Sequence, residues 1–145
     1  MFRKFAHICQ VRRKYPSKVI VAWGEAISGH TTLRDGLIKT GYPELGLFCY
    51  ALRNVASARD WLMKNGHPQL MALIRGAEGE KSAIAWLRRS GEHLLADMAL
   101  AADNDVQAMN RVIAKDRMWA MIAAKMAVVK NDIEEDNQDF HRISK

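Results

Sequence analysis

Residues 61–70 read WLMKNGHPQL, and similar stretches occur 25 residues earlier, at 36–45 (GLIKTGYPEL), and 25 residues later, at 86–95 (WLRRSGEHLL). All three copies have leucine at the second position, glycine at the sixth and leucine at the tenth. Repetition at a fixed period of roughly 20–50 residues is typical of proteins that stack similar structural units. The stretch therefore predicts a repeat architecture.

Within one copy, the spacing of apolar residues indicates two helices separated by a stop. The first apolar face, with the helical spacing i, i+3 and i+4, consists of Ala58, Trp61 and Leu62. The second face consists of Leu70, Leu73, Ile74 and Ala77. Between them, Gly66 suits the left-handed end of a helix, and Pro68 suits the first turn of the next. We therefore expect helices near 57–65 and 68–78.

A second stop recurs at the same period, between successive units. This position holds glycine or asparagine in four copies, namely Gly29, Asn54, Gly79 and Asn104. Glycine and asparagine are the residues that best tolerate the left-handed conformation. Each unit is thus predicted to be two short helices with two stops. A pair this short buries its apolar face only by stacking on its neighbours.

The predicted fold is all-α, an α-solenoid in which about five short helical hairpins form a superhelical stack. One repeat domain covers residues 1–131, and an acidic C-terminal tail covers residues 132–145. The five predicted units are 7–31, 32–56, 57–81, 82–106 and 107–131. The first and last units match the pattern less well, which is typical of terminal units with one side facing solvent.

Two recurring positions carry aromatic or large apolar residues that we assign to the core. Trp61 and Trp86 share one position on the first helix of their units. A different recurring position, on the second helix of each unit, holds Trp23, Phe48, Leu73 and Met98. Aromatic residues on an apolar helix face are more often part of a core than of a binding platform.

Charge divides the chain into a basic body and an acidic end. The net charge is +6, whereas residues 131–145 carry five acids and two bases, a local charge of −3, so the rest carries +9. The acidic tail either folds back on the basic body or stays disordered. Residues 1–18 are basic and contain no acid, which resembles an organelle transit peptide. The repeat pattern extends back to Ile8, which favours a structural helix at the N-terminus.

The layout resembles α-solenoids of the HEAT and armadillo kind, with shortened hairpins. It also resembles bacterial tandem repeats with the pattern W-L-x-x-x-G-x-x-x-L. Residues 100–116, LAADNDVQAMNRVIAKD, resemble one unit of the leucine-rich variant repeat, although the prolines of that pattern and its iron–sulfur cysteines are missing. The resemblance implies a binding scaffold and supplies no catalytic residues.

The sequence contains no recognisable constellation for chemistry. It lacks an H-E-x-x-H motif, a P-loop and paired cysteine or histidine spacings. We therefore predict no catalytic, cofactor-binding or metal-binding residues, and a protein that is not an enzyme. Cys9 and Cys49 are expected to be reduced in a cytoplasmic protein. No apolar run reaches the roughly 18 residues that predict a membrane-spanning helix, so we expect no membrane partner.

One set of basic residues is a candidate binding stripe. Lys14, Lys39, Lys64 and Arg89 recur at the repeat period, and Arg34, Arg59 and Arg88 lie near them in sequence. A basic stripe is typical of nucleic-acid binding. Alternatively, these cations only stabilise the C-terminal ends of helices.

Three functions follow, in order of preference. The first is a non-enzymatic scaffold that binds a protein or peptide on a concave or edge surface. The second is a nucleic-acid-binding protein that uses the basic stripe. The third is an enzyme with an unrecognised site.

Overall fold

The computed structural model describes residues 15–143, so Lys14, most of the first half of unit 7–31 and the last two residues of the tail lie outside the described range. Over this range the chain is all-helical and has no strand. The nine described helices are α1 (Ser17–Ile27), α2 (Thr31–Lys39), α3 (Pro43–Leu52), α4 (Ala56–Lys64), α5 (Pro68–Ala77), α6 (Lys81–Arg89), α7 (His93–Ala102), α8 (Val106–Lys115) and α9 (Arg117–Ile143).

The helices keep the 25-residue period of the sequence. Helices α2, α4, α6 and α8 begin at Thr31, Ala56, Lys81 and Val106, and helices α3, α5 and α7 begin at Pro43, Pro68 and His93. The helices predicted near 57–65 and 68–78 are confirmed as α4 and α5, within one residue at each end.

Both predicted kinds of stop have left-handed backbone. Asn54 and Asn104 have φ of 70° and 71°, and positive φ also occurs at Gly29, Gly41, Gly66, Gly79 and Gly91. At Gly66, φ is 83° and no atom lies within 4 Å of the place where a Cβ would sit. The backbone conformation, and not a shortage of space, therefore requires glycine there.

The helices form two layers. The inner helices are α1, α3, α5 and α7, and each contacts the next along the chain of inner helices. The outer helices are α2, α4, α6 and α8, and each contacts the inner helices beside it in sequence. No extended contact joins one outer helix to another in the described chain. The layers therefore pack tightly on the inner side and leave gaps on the outer side.

Burial follows this division. Trp23, Phe48, Leu73 and Met98 are fully buried on the inner helices, which confirms that this position forms the core. Inner helix α5 buries seven of its ten residues, whereas outer helix α4 buries only Ala58 and Leu62. The narrow apolar stripe of each outer helix seals the core from one side only.

The last helix departs from the repeat. Helix α9 has 27 residues and runs without a break through the predicted boundary between residues 131 and 132. Its first half buries Trp119, Ile122, Met126 and Val129. The carboxylate of Asp116 accepts hydrogen bonds from the backbone N–H groups of Met118 and Trp119, at 3.0 and 3.3 Å. Asp116 stands where other units have glycine because it caps a new helix at this point.

Candidate functional site

Helix α9 covers one side of the inner helices. It contacts α1, α3, α5 and α7, together with α8. The ring of Trp119 lies edge-on to that of Trp23, with centroids 5.6 Å apart. Packing is so close at Gly24 that a Cβ there would lie 2.6 Å from Met121 Sδ. Around Gly24, therefore, α9 leaves no room for a partner on the inner helices.

Polar contacts hold the middle of α9 against the end of α7. The ammonium group of Lys130, which is buried, forms an ion pair with Asp103. The side-chain amides of Asn104 and Asn131 donate hydrogen bonds to each other, both at 3.3 Å. Because a buried lysine is costly to leave unpaired, these contacts fix the register of α9. The sequence left a concave face or an edge as the binding surface. A pocket of about 250 Å³ opens beside Lys130 and Ile133 of α9, and a groove of about 410 Å³ opens on the outer side. The outer groove is the candidate site because its lining is the more apolar of the two.

The outer side carries the positive charge of the described chain. The four outer helices contain nine lysine or arginine residues and two aspartates, a net charge of +7. The four inner helices contain two bases and three acids, a net charge of −1. Two layers of similar length therefore differ strongly in charge.

The structure separates the predicted basic stripe into two groups. Lys39, Lys64 and Arg89 lie exposed in the last turns of α2, α4 and α6. None of the three forms an ion pair with a side chain in the range 15–137. Each lies at the C-terminal end of its helix, where the helix dipole favours a cation. Each is also accessible to a partner.

Arg34, Arg59 and Arg88, in contrast, are engaged within the chain. The guanidinium of Arg34 contacts Asp35 and lies 4.3 Å from the ring centroid of Tyr50. These two contacts draw Arg34 onto the protein surface.

Arg59 ties three elements together. Its Nε donates to the carbonyl oxygen of Ala51 at 3.0 Å, and its two terminal nitrogens donate to the carboxylate of Glu78 at 3.1 and 2.8 Å. A bidentate pair of this kind has defined geometry, so Arg59 has a structural role.

Arg88 shares one carboxylate with Arg111. Both donate to Asp97 Oδ1 at 3.0 Å. Burial alone would raise the pKa of Asp97, but the hydrogen bonds from Arg111 and Arg88 outweigh it and lower that pKa. The hydrogen bond to Asp97 and the charge of that carboxylate raise the pKa of Arg111.

An apolar groove opens between α4, α5 and α6, with a volume of about 410 Å³. Its apolar lining consists of Met63, Pro68, Met71, Ala72, Ala83 and Trp86. Met63 is 52% exposed. Arg75 and Glu80 line the groove together with Ser82, and they face each other at 4.0 Å. The groove lies where two outer helices fail to meet.

The assignment of Trp61 and Trp86 to the core is wrong in degree, because both rings are only partly buried. Trp86 lines the groove. Trp61 stacks on the imidazole of His67, with centroids 5.7 Å apart and planes 9° apart. The sequence placed them on an apolar stripe, but that stripe is narrow on the outer helices, and its edge faces solvent.

A polar cluster lies beside Trp61. Glu44 is buried, accepts a hydrogen bond from the Tyr15 hydroxyl at 3.0 Å and lies 3.9 Å from His67 Nε2. Burial, followed by the charge and hydrogen bond of Glu44, raises the pKa of Tyr15. No sequence pattern predicted this cluster, since its members come from positions that do not share a repeat register.

Glu92 is the second buried acid, at 6% exposure, and its Oε1 has no hydrogen-bond partner. Burial raises the pKa of its carboxyl to about 7. Cys49 is also buried, donates to the carbonyl oxygen of Leu45 and has its pKa raised by burial to about 12. A thiol with so high a pKa is a poor nucleophile at neutral pH.

Among the side chains of residues 15–137, no cluster of three or more histidine, cysteine or acidic groups is suited to a metal ion. None of the helices described is both long and apolar enough to cross a membrane. Comparisons with family models, curated proteins and solved structures give no match for this chain. Function has to be inferred from the site itself.

Proposed function

We propose that the protein is a non-enzymatic α-solenoid scaffold of the cytoplasm, which binds a segment of a protein or peptide partner in the apolar groove between α4 and α6. The solenoid part is supported by the regular start of helices every 25 residues and by the chain of contacts along the inner helices. The free thiol of Cys49 is in keeping with a reducing compartment.

The observation that carries the proposal is the groove itself. Six apolar residues line it, and Met63 at its edge is half exposed. Methionine side chains are flexible and polarisable, and they commonly line protein-binding grooves. Tryptophan and arginine, which the groove also contains, are enriched among residues that contribute most to binding. On the other side, α9 already covers the inner helices.

Selection of displayed peptides on the intact protein tests the proposal. The probe is a random library of peptides of about 16 residues, long enough for roughly four helical turns. We expect enriched peptides that bind the parent and the Val128→Gln variant alike but lose about tenfold or more in affinity for Met63→Gln. Val128 is a matched control because it is 60% exposed and lies on α9. Failure to enrich any peptide, or binding that is indifferent to Met63, would contradict the proposal.

A nucleic acid is the second candidate partner, and one observation favours it. Lys39, Lys64 and Arg89 are exposed at equivalent helix ends and have no ion pair with described residues. If they contact phosphates, replacing all three with glutamine lowers affinity for every sequence and flattens the dependence of log affinity on log salt by about 2–3 units. We expect no such salt-dependent affinity, and mobility-shift titrations at low and high salt decide between the two partners.

A further inference from the structure

The groove between α4 and α6 points to the chemistry of its occupant, and this inference rests on the function proposed above. We propose that the partner segment is an amphipathic α-helix that presents apolar anchors to the groove and acidic residues to the cations beside it. The helical form of the partner segment and its acidic charge are supported by separate observations.

The walls of the groove are helical, which selects the backbone form of the occupant. In α4, α5 and α6 the backbone hydrogen bonds run within each helix, so these walls offer no free strand edge. An extended peptide would lie against them with unpaired N–H and C=O groups. A helix satisfies its own backbone and presents side chains alone, as in other helix-in-groove complexes.

The dimensions of the groove set the spacing of the anchors. Pro68 and Arg75 line the groove from opposite ends of α5. At a rise of about 1.5 Å per residue, they are about 10 Å apart along the helix. This length holds apolar side chains one or two turns apart, that is, at positions i, i+4 and i+7 of the partner.

The charges around the groove favour an acidic partner. Lys64 follows Met63 in the last turn of α4, and Arg89 lies one turn beyond Trp86 on α6, both exposed. The acid that lines the groove, Glu80, lies 4.0 Å from Arg75, whereas the exposed Asp60 on α4 does not line it. Lys64 and Arg89 are exposed, and each lies within about one helical turn of a residue that lines the groove. The net charge of +7 on the outer helices extends this bias over the whole side.

Three synthetic helical peptides test the inference. They share leucine anchors at i, i+4 and i+7 and carry glutamate, glutamine or lysine at the outward positions. By isothermal titration, we expect the glutamate peptide to bind the full chain about tenfold or more tightly than the glutamine peptide, and the lysine peptide to bind worst. The advantage of glutamate over glutamine should shrink at high salt.

Substitutions in the protein separate this inference from the proposed function. The pair Lys64→Gln and Arg89→Gln should remove most of the advantage of the glutamate peptide and leave the affinity for the glutamine peptide unchanged. If glutamate and glutamine peptides bind equally, the acidic preference is wrong and the groove function stands. If no peptide binds, while circular dichroism shows the chain folded, both are wrong.

A second copy of the chain is the alternative occupant, because α9 ends in an acidic segment in which Glu134, Glu135 and Asp136 are exposed. Sedimentation of the protein alone measures this alternative. We expect the protein to be a monomer at the concentrations at which it binds the peptide in the titrations. Self-association that is lost both in Met63→Gln and in the double variant Glu135→Lys and Asp136→Lys would overturn the assignment to a separate partner.

Discussion

The inner and outer helices are built from the same repeat, yet they differ in almost every physical property. Helix α5 buries seven residues, whereas helix α4 buries two. The inner helices contact one another and are covered by α9, whereas the outer helices are separated by gaps. Two helices of nearly equal length, joined by one corner, thus have different tasks. The inner layer stabilises the fold, and the outer layer presents a surface.

The largest expected effect contrasts two tryptophans. Trp23 is fully buried and packs edge-on against Phe48 and Trp119, with centroids 5.0 and 5.6 Å away. Trp23→Ala should lower the free energy of unfolding by about 3–5 kcal/mol, as large-to-small changes in a packed core do. Trp86→Ala, on the outer layer, should lower it by less than half as much, because its ring is only partly buried. Urea titrations measure both, and equal losses would remove the distinction between the layers.

The next largest effect contrasts a glycine with positive φ and a glycine inside a helix. Gly66→Val should cost about 1–3 kcal/mol, because a β-branched residue strains at a φ of 83°. Gly36 lies inside α2 with open space around it and without positive φ, so Gly36→Ala should stabilise by about 0.5–1 kcal/mol. In urea titrations, the unfolding midpoint should fall for Gly66→Val and rise for Gly36→Ala. A shared direction would mean that the corner at residue 66 is not a left-handed stop.

The corner between α6 and α7 should make stability depend on pH. The pKa of Glu92 is raised to about 7 in the folded chain, so between about 4.5 and 7 the folded state binds more protons than the unfolded state. Stability should therefore fall as pH rises through this window. Glu92→Gln should remove that fall and be more stable at pH 8 by about 1–2 kcal/mol, after allowance for solvent screening. Chemical melts at pH 5 and pH 8 check this, and an unchanged pH dependence would contradict it.

The sequence predicted the helices and corners well because their causes are local. The spacing of Ala58 and Leu62, the glycine at 66 and the proline at 68 act within one turn of each boundary. The all-helical class followed from the same pattern. The sequence also predicted that Trp23 and Met98 lie in the core, because the apolar face of the inner helices is wide.

The candidate site was less predictable, because it depends on distances between units. The gap that exposes Met63 arises where α4 and α6 fail to meet, and no spacing along the chain encodes it. The same holds for α9, whose course over the inner helices is set by contacts between residues far apart in sequence, such as Trp23 with Trp119. The basic residues were predicted as one stripe, but the partners of Arg59 and Arg88 lie in other elements.

Oxidative labelling of methionines, read by mass spectrometry with and without a selected peptide, tests most directly whether the outer side is the binding surface. Met63 is exposed on the outer side, and Met121 is partly buried where α9 faces α1. Without peptide, Met63 should oxidise faster than the fully buried Met98. Bound peptide should protect Met63 and leave Met121 unchanged. Protection of Met121 with Met63 still reactive would place the binding surface on the inner side and contradict the account.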